Sequence, residues 1–140
     1  TYNNMAGVYD HQGDYEKALE YYEKALAIHE QVLGPEHPDT AATYNNMALV
    51  YDHQGDYKKA LKYYKKALAI VERVLGPDHP STATTYSNMA YVFYHQGNYT
   101  KSLEYFKKAY AIRSSKLGEN HPRTLDVKRS ISFVESLQRN

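Results

Sequence analysis

The chain contains no cysteine and no tryptophan among its 140 residues. Without thiols it can build neither a disulfide framework nor a thiolate metal site, which is in keeping with a cytoplasmic location. It has no apolar run near the length needed to cross a bilayer, and no signal segment is visible. A charge bias is missing too: 17 Lys and Arg oppose 16 Asp and Glu, a formal net charge of +1. General attraction to nucleic acid or to an anionic membrane is therefore not expected. The seven glycines are mostly accounted for by helix ends, which leaves no glycine-rich loop to cradle a phosphate.

What the chain does have is a period. Tyr2, Tyr44 and Tyr86 open three copies of one unit 42 residues apart, and the first two copies differ at only nine of 42 positions. Self-similarity at this spacing is the mark of a repeat array, in which each unit touches mainly its neighbours. Within the second copy, Tyr44, Met47, Ala48 and Tyr51 fall at i, i+3, i+4 and i+7, one face of a helix A. Gly55 can take the left-handed conformation that ends a helix, and the Asp56 carboxylate can cap the next one. Helix B then keeps Tyr57, Ala60, Leu61, Tyr64, Leu68, Val71 and Leu75 on one face, with Lys58, Lys59, Lys62, Lys65 and Lys66 in water. It stops at Gly76-Pro77. The same punctuation stands at Gly13-Asp14 and Gly34-Pro35, and at Gly97-Asn98 and Gly118, so each unit is predicted to be a helical hairpin.

The order Tyr44, Met47, Ala48, Tyr51, Gly55, Tyr57, Ala60, Tyr64, Ala67 resembles the tetratricopeptide repeat signature, with tyrosine where that pattern usually has tryptophan. Copy one repeats it as Tyr2, Met5, Ala6, Tyr9, Gly13, Tyr15, Ala18, Tyr22 and Ala25. Copy three repeats it as Tyr86, Met89, Ala90, Phe93, Gly97, Tyr99, Ser102, Phe106 and Ala109. The period is 42 rather than the family's usual 34 or so, and Glu72 stands where a helix-ending proline is common, so helix B runs longer. In this the chain is similar to the long-repeat branch of kinesin light chain and nephrocystin-like arrays, whose G-x-x-HP linker resembles Gly76-Pro77-Asp78-His79-Pro80. The resemblance implies an all-α, right-handed superhelical stack of antiparallel hairpins with a C-terminal capping helix: one array over 1–140, with repeat one at 1–42, repeat two at 43–84, repeat three at 85–122 and the cap at 123–140.

The ends of the array read differently. Thr1 corresponds to Thr43, yet the lead-in Pro38-Asp39-Thr40-Ala41-Ala42 has no counterpart before it. A truncated first helix is expected, in a piece of a longer array or a chain cut there. Its outward flank should be adhesive, and end-to-end self-association through repeat one follows as an expectation. Copy three drifts, with Ser102 at the tight helix crossing and Glu119-Asn120 in place of Pro-Asp. The last helix sets Val127, Ile131, Val134 and Leu137 on one face and is otherwise polar, as a solubilising cap requires.

The recurring polar residues are the candidates for chemistry. His11, His53 and His95 end each helix A, but equivalents in successive hairpins should stand roughly 16 to 20 Å apart, two packed helices, too far to share a metal ion. Contact with the carboxyl end of their own helix is expected instead. His37, His79 and His121 precede a proline suited to a first helical turn and read as linker residues. No nucleophile and base converge on one pocket, so no enzyme, cofactor or metal is expected. Most tyrosines occupy the family's core positions, and Tyr91 and Tyr94 stand apart on the opposite face of helix A.

That opposite face carries the functional expectation. In tetratricopeptide arrays the A helices line a concave surface along which a peptide or partner helix lies. Carried over by the resemblance, the groove positions are Asn3, Asn4, Gly7, Asp10 and His11; Asn45, Asn46, Leu49, Asp52 and His53; and Ser87, Asn88, Tyr91, Tyr94 and His95, with Arg129 in the cap as the nearby basic residue. Asn4, Asn46 and Asn88 match the position where family members hold a peptide backbone, as an amide that both donates and accepts can. With Asp10 and Asp52 in the groove, a basic or neutral ligand is favoured over a terminal carboxylate. The chain thus reads as a protein-interaction scaffold for a protein or peptide partner, or alternatively as a structural spacer of a longer array with no ligand of its own. On the outer face, Glu16, Glu20 and Glu23 are replaced one period later by Lys58, Lys62 and Lys65. Exposed pairs contribute about 0.2 to 1 kcal/mol each and are screened by salt. Changing the three glutamates to lysine should therefore lower the melting temperature slightly at low salt and hardly at all at high salt; equal losses at both would refute the electrostatic account.

Overall fold

The computed structural model describes residues 1–139, and every regular element among them is helical. The order is α1 (Tyr2–His11), α2 (Tyr15–Val32), α3 (Pro38–His53), α4 (Tyr57–Val74), α5 (Pro80–His95), α6 (Tyr99–Leu117) and α7 (Pro122–Arg139). The chain divides into two compact units, Thr1–Ile70 and the part from Val71 onward, so the division falls inside α4. In the first unit Ala6, Ala18, Tyr22, Met47 and Val50 form a buried core, with Tyr9, Tyr21 and Tyr63 packed on its edge. In the second, Ala83, Ala90, Leu103, Phe106, Ile112, Val127 and Val134 do the same.

The punctuation acts as the sequence implies. Gly13, Gly55 and Gly97 take positive φ directly after the A helices, a conformation that costs a residue with a Cβ. Asp14, Asp56 and Asn98 each accept from the backbone N–H three residues on, at 3.3, 3.3 and 3.2 Å. Along α4 the fully buried residues are Ala60, Tyr64 and Ala67, with Ile70 and Val71 nearly so. Leu61, Leu68 and Leu75 are only half-buried. The buried stripe is thus rotated from the expected one toward Ala67 and Ile70.

The tyrosines are less central than their family positions suggest. Only Tyr22 and Tyr64 are deeply buried. Eight of the others, with Phe93, build one three-ring group per hairpin, with a B-helix tyrosine as the middle plate. Tyr21 stands 5.4 Å from Tyr9 and 5.9 Å from Tyr2. Tyr63 stands 5.4 Å from Tyr51 and 6.0 Å from Tyr44, and Tyr105 stands 5.3 Å from Phe93 and 5.9 Å from Tyr86. Lysines from the B helix lie over these rings, Lys24 over Tyr21 at 5.0 Å and Lys66 over Tyr63 at 5.2 Å, so part of the solvated lysine face also shields aromatic surface. Two hydroxyls reach the preceding B helix: Tyr44 donates to Glu30 at 3.0 Å and Tyr86 to Glu72 at 2.8 Å. Burial first, then these carboxylates, push both phenols up to about 12.

The linkers are more structured than a turn needs to be. Helices α3, α5 and α7 begin at a proline, and the histidine before each is an N-cap. Nδ1 of His37, His79 and His121 accepts from the N–H of Asp39, Ser81 and Arg123 at 3.0, 3.0 and 3.1 Å. An accepting Nδ1 is unprotonated, so the 3.9 Å approach of His37 Nδ1 to Asp39 Oδ2 is not an ion pair in this arrangement. Thr40 and Thr82 close the loop from the other side, donating to the carbonyls of Gly34 and Gly76 at 3.0 and 2.8 Å. In copy three, where the proline after the glycine is lost, the equivalent Thr124 is fully buried and its Oγ1 has no partner. His79→Ala should cost about 1 kcal/mol by freeing first-turn N–H groups of α5, and His79→Asn should retain most of the stability. Urea titration of the two variants checks this, and equal loss in both would show that the ring packs rather than caps.

Candidate functional site

Each unit brings some of the expected groove residues together. In the first unit Asn4 is exposed, Asn3, Gly7, Asn45 and Asn46 are half-buried, and Leu49 is exposed. A Cβ added at Gly7 would stop 3.9 Å from the Tyr22 hydroxyl, so the gap there is shallow and floored by that oxygen. Asp10 is not a free groove charge. Its side chain is 9% exposed, and Oδ1 meets His53 Nδ1 at 2.9 Å. His53 was expected to serve the end of its own helix; it instead ties α3 to α1, with the Tyr15 ring 6.1 Å away. A contact to a neighbouring helix wins because the enclosed Asp10 carboxylate needs a donor and solvent is largely excluded from it.

Asp52 is enclosed as well, at 8% exposure. Burial and then the Asp10 charge raise the Tyr22 phenol, and burial, Asp52 and then Asp10 raise that of Tyr64. Both carboxylates therefore face buried hydroxyls and belong to the junction of α1, α3 and their B helices. A sequence signal for the pairing existed: Asp10 and His53 are 43 residues apart, one more than the period, as a contact from one helix A to the next requires.

In the second unit Ser87 is enclosed and its Oγ has no hydrogen-bond partner, and Asn88 is half-buried. Tyr91, Tyr94 and Arg129, taken from sequence as site residues, converge on one pocket of about 250 Å³ between α5 and α7. Phe106 forms its floor, with its ring edge-on to Tyr91 at 5.0 Å. Ser130, Phe133 and Val134 complete the lining. The Tyr91 hydroxyl and Ser130 Oγ are 3.2 Å apart, and the Phe133 ring is 5.9 Å from that of Tyr94. Sequence reasoning missed Phe133 and Ser130. The legible sign was that Phe133 is a large apolar residue off the Val127, Ile131, Val134, Leu137 stripe, and it is 53% exposed.

A second cavity, about 560 Å³, opens beside α1 and is lined by Tyr2, Met5, Ala25 and Ile28 among others. Met5 and Val8 are 42% and 55% exposed, whereas the equivalent Met47 and Val50 are at 1% and 0%. This is the flank expected to be adhesive. Among the described residues no group of three His, Cys, Asp or Glu is placed to hold a metal ion, and no helix is long and apolar enough to cross a membrane.

The sequence profile described as "Tetratricopeptide repeat" matches residues 1–73, 53–115 and 81–140. The structure is similar to that of BtubC (BKLC) from P. vanneervenii, at 26% identity and TM-score 0.86, over 96% of this chain and 54% of that one. It is also similar to a Podosopora anserina putative kinesin light chain with nearly identical TPR-like repeats, at 24% identity and TM-score 0.82, over 95% of this chain and 63% of that one. The N-terminal domain of stress-induced protein-1 from C. elegans aligns at 19% identity and TM-score 0.69, over 96% of this chain and 91% of that domain. The chain thus spans about half to under two thirds of the first two. No curated protein sequence matches it.

The Asp10–His53 contact gives a measurable expectation. His53→Ala should destabilise the chain by about 1 to 3 kcal/mol, since it leaves the enclosed Asp10 carboxylate without that donor. Asp10→Ala should cost less, because the His53 side chain it leaves behind is 41% exposed and water can take the carboxylate's place. A double-mutant cycle by thermal melting should return a coupling of at least about 0.5 kcal/mol; strict additivity would mean that the two side chains are merely adjacent.

Proposed function

The chain belongs to the tetratricopeptide repeat family, and from that premise we propose that it is a binding module rather than an enzyme, holding a peptide or partner helix along the groove faces of its A helices. Proteins built from such repeats mediate protein–protein interaction. The observation that carries the reading is the pocket between α5 and α7: a helical hairpin and a cap need no half-open aromatic cavity between them, and Tyr91 and Phe133 remain 44% and 53% exposed there. Large amphipathic rings of this kind supply most of the contact energy in protein interfaces. The asparagines Asn4, Asn46 and Asn88 would hold the extended backbone, and the position occupied by Gly7, Leu49 and Tyr91 would select side chains. Because Asp10 and Asp52 are enclosed, they contribute little to ligand choice, and selection rests on Leu49, Tyr91, Tyr94 and Arg129.

A second reading, assembly, is supported by the exposed Met5, Val8 and Ile28. An apolar flank of this kind favours end-to-end association through repeat one. Both readings are open to test on one protein. Asn46→Ala with Asn88→Ala should weaken a peptide selected from a random library by about 1 to 3 kcal/mol while leaving the melting temperature nearly unchanged. Early unfolding with normal binding would make these asparagines structural. Light scattering should show concentration-dependent association that Met5→Lys with Val8→Lys abolishes; a wild-type chain that stays monomeric to millimolar concentration would rule assembly out.

A further inference from the structure

The pocket between α5 and α7 combines an aromatic wall with polar groups of one character. Tyr94, Phe106 and Phe133 supply ring surface and Arg129 a guanidinium, the Tyr91 hydroxyl lies 3.2 Å from Ser130 Oγ, which itself donates to the Asp126 carbonyl at 3.2 Å, and no carboxylate lines the pocket. A second guanidinium stands near. Arg113 is half-buried and donates from Nη1 to the Arg123 carbonyl at 3.3 Å. Burial and then the neighbouring Arg123 charge disfavour its cationic form, while Asp126 and Tyr91 favour it. Neither Arg113 nor Arg123 lines the pocket, so Arg129 is the cation that meets its rings, with one carboxylate beside it. That carboxylate, Asp126, is held by Arg129 at 2.7 Å with both side chains about 70% exposed, a weak kind of pair that a stronger anion can displace.

A volume of about 250 Å³ admits one large side chain and excludes a helix. We propose that this pocket receives a single side chain with an aromatic body and an anionic tip, the phosphotyrosine of a partner peptide. Its ring would pack against Tyr94, Phe106 and Phe133, and its phosphate would meet Arg129, Ser130 and Tyr91. A phosphoryl group carries a charge of about −1.5 to −2 at neutral pH and three strong acceptors. Guanidinium forks match such an oxyanion with two parallel hydrogen bonds, and the Tyr91 and Ser130 hydroxyls can add a donor by turning from their present partners. A neutral apolar residue would leave Arg129 with only its exposed Asp126 partner. A ligand cation would meet arginine on the rim. The proposal rests on the peptide-binding reading above and names the chemistry that one of its sites selects.

The test uses the whole chain with small probes, followed by aromatic and arginine side-chain NMR shifts. Phenyl phosphate should give saturable shifts at Tyr94, Phe133 and Arg129, and phenol, phenylacetate and inorganic phosphate should each bind at least about tenfold more weakly. Arg129→Gln should weaken phenyl phosphate about tenfold and leave phenol unchanged, and Phe133→Ala should weaken both, with melting curves confirming that each variant is folded. Binding of phenol or phenylacetate as tight as that of phenyl phosphate would overturn the phosphate assignment. So would inorganic phosphate binding equally well, or no saturable shift with any probe. If a library-selected peptide still binds and is lost on Tyr94→Ala while phenyl phosphate does not bind, the peptide-binding reading stands and this one falls.

Discussion

The closest approach of helix A to helix B in each hairpin sets the positions of everything else. Residues with almost no side chain are fully buried at the family's crossing positions in each hairpin: Ala6 and Ala18, Ala48 and Ala60, Ala90 and Ser102. In the third hairpin the contact can be read from a bond, since Ser102 Oγ donates to the Ala90 carbonyl at 2.9 Å. A hydroxyl is tolerated in that crossing only because it finds a backbone acceptor at once. With the backbones held this near, bulk is pushed to either side. The three-ring tyrosine stacks stand on one flank, and Tyr22, Tyr64 and Phe106 fill the other.

Much of this was legible before any coordinates. The period, the hairpins, the glycine stops and the Asp or Asn caps follow from residue types at fixed spacing, because they depend on local backbone chemistry that one copy can specify alone. Contacts that join one copy to the next are harder to read, since their only sign is a spacing close to the period. Asp10 looks like a groove charge in its own helix and becomes an enclosed partner of His53 only when α3 packs beside α1. The caps from His37, His79 and His121 were read as linker residues, and their acceptor role depends on a ring rotamer that no pattern reveals. Of the candidate site, Tyr91, Tyr94 and Arg129 were found from sequence. Phe133 and Ser130 were missed, since a cap helix is read for what it hides and not for what it leaves in view.

The two ends of the chain differ in chemical character. Beside α1 the exposed large side chains are mostly aliphatic, Met5, Val8 and Ile28 with Tyr2. Beside α7 they are aromatic and basic, with Tyr91, Phe133 and Arg129. Enclosing Asp10 and Asp52 removes from the A-helix face the acidic character that composition alone would assign to it. The chain is therefore nearly neutral in sum while its accessible groups are locally distinct.

The linker bonds also bear on how such a chain can change in length. The first two loops close on themselves: within seven consecutive residues, Gly34 to Thr40 or Gly76 to Thr82, the threonine hydroxyl meets the glycine carbonyl and the histidine ring caps the next helix without help from distant parts. A segment bounded by two such loops carries its own start and stop. Whole 42-residue blocks can then be duplicated or deleted in the gene without any new junction having to be invented, and the near-identity of the first two copies fits a block that was copied recently and has had little time to diverge.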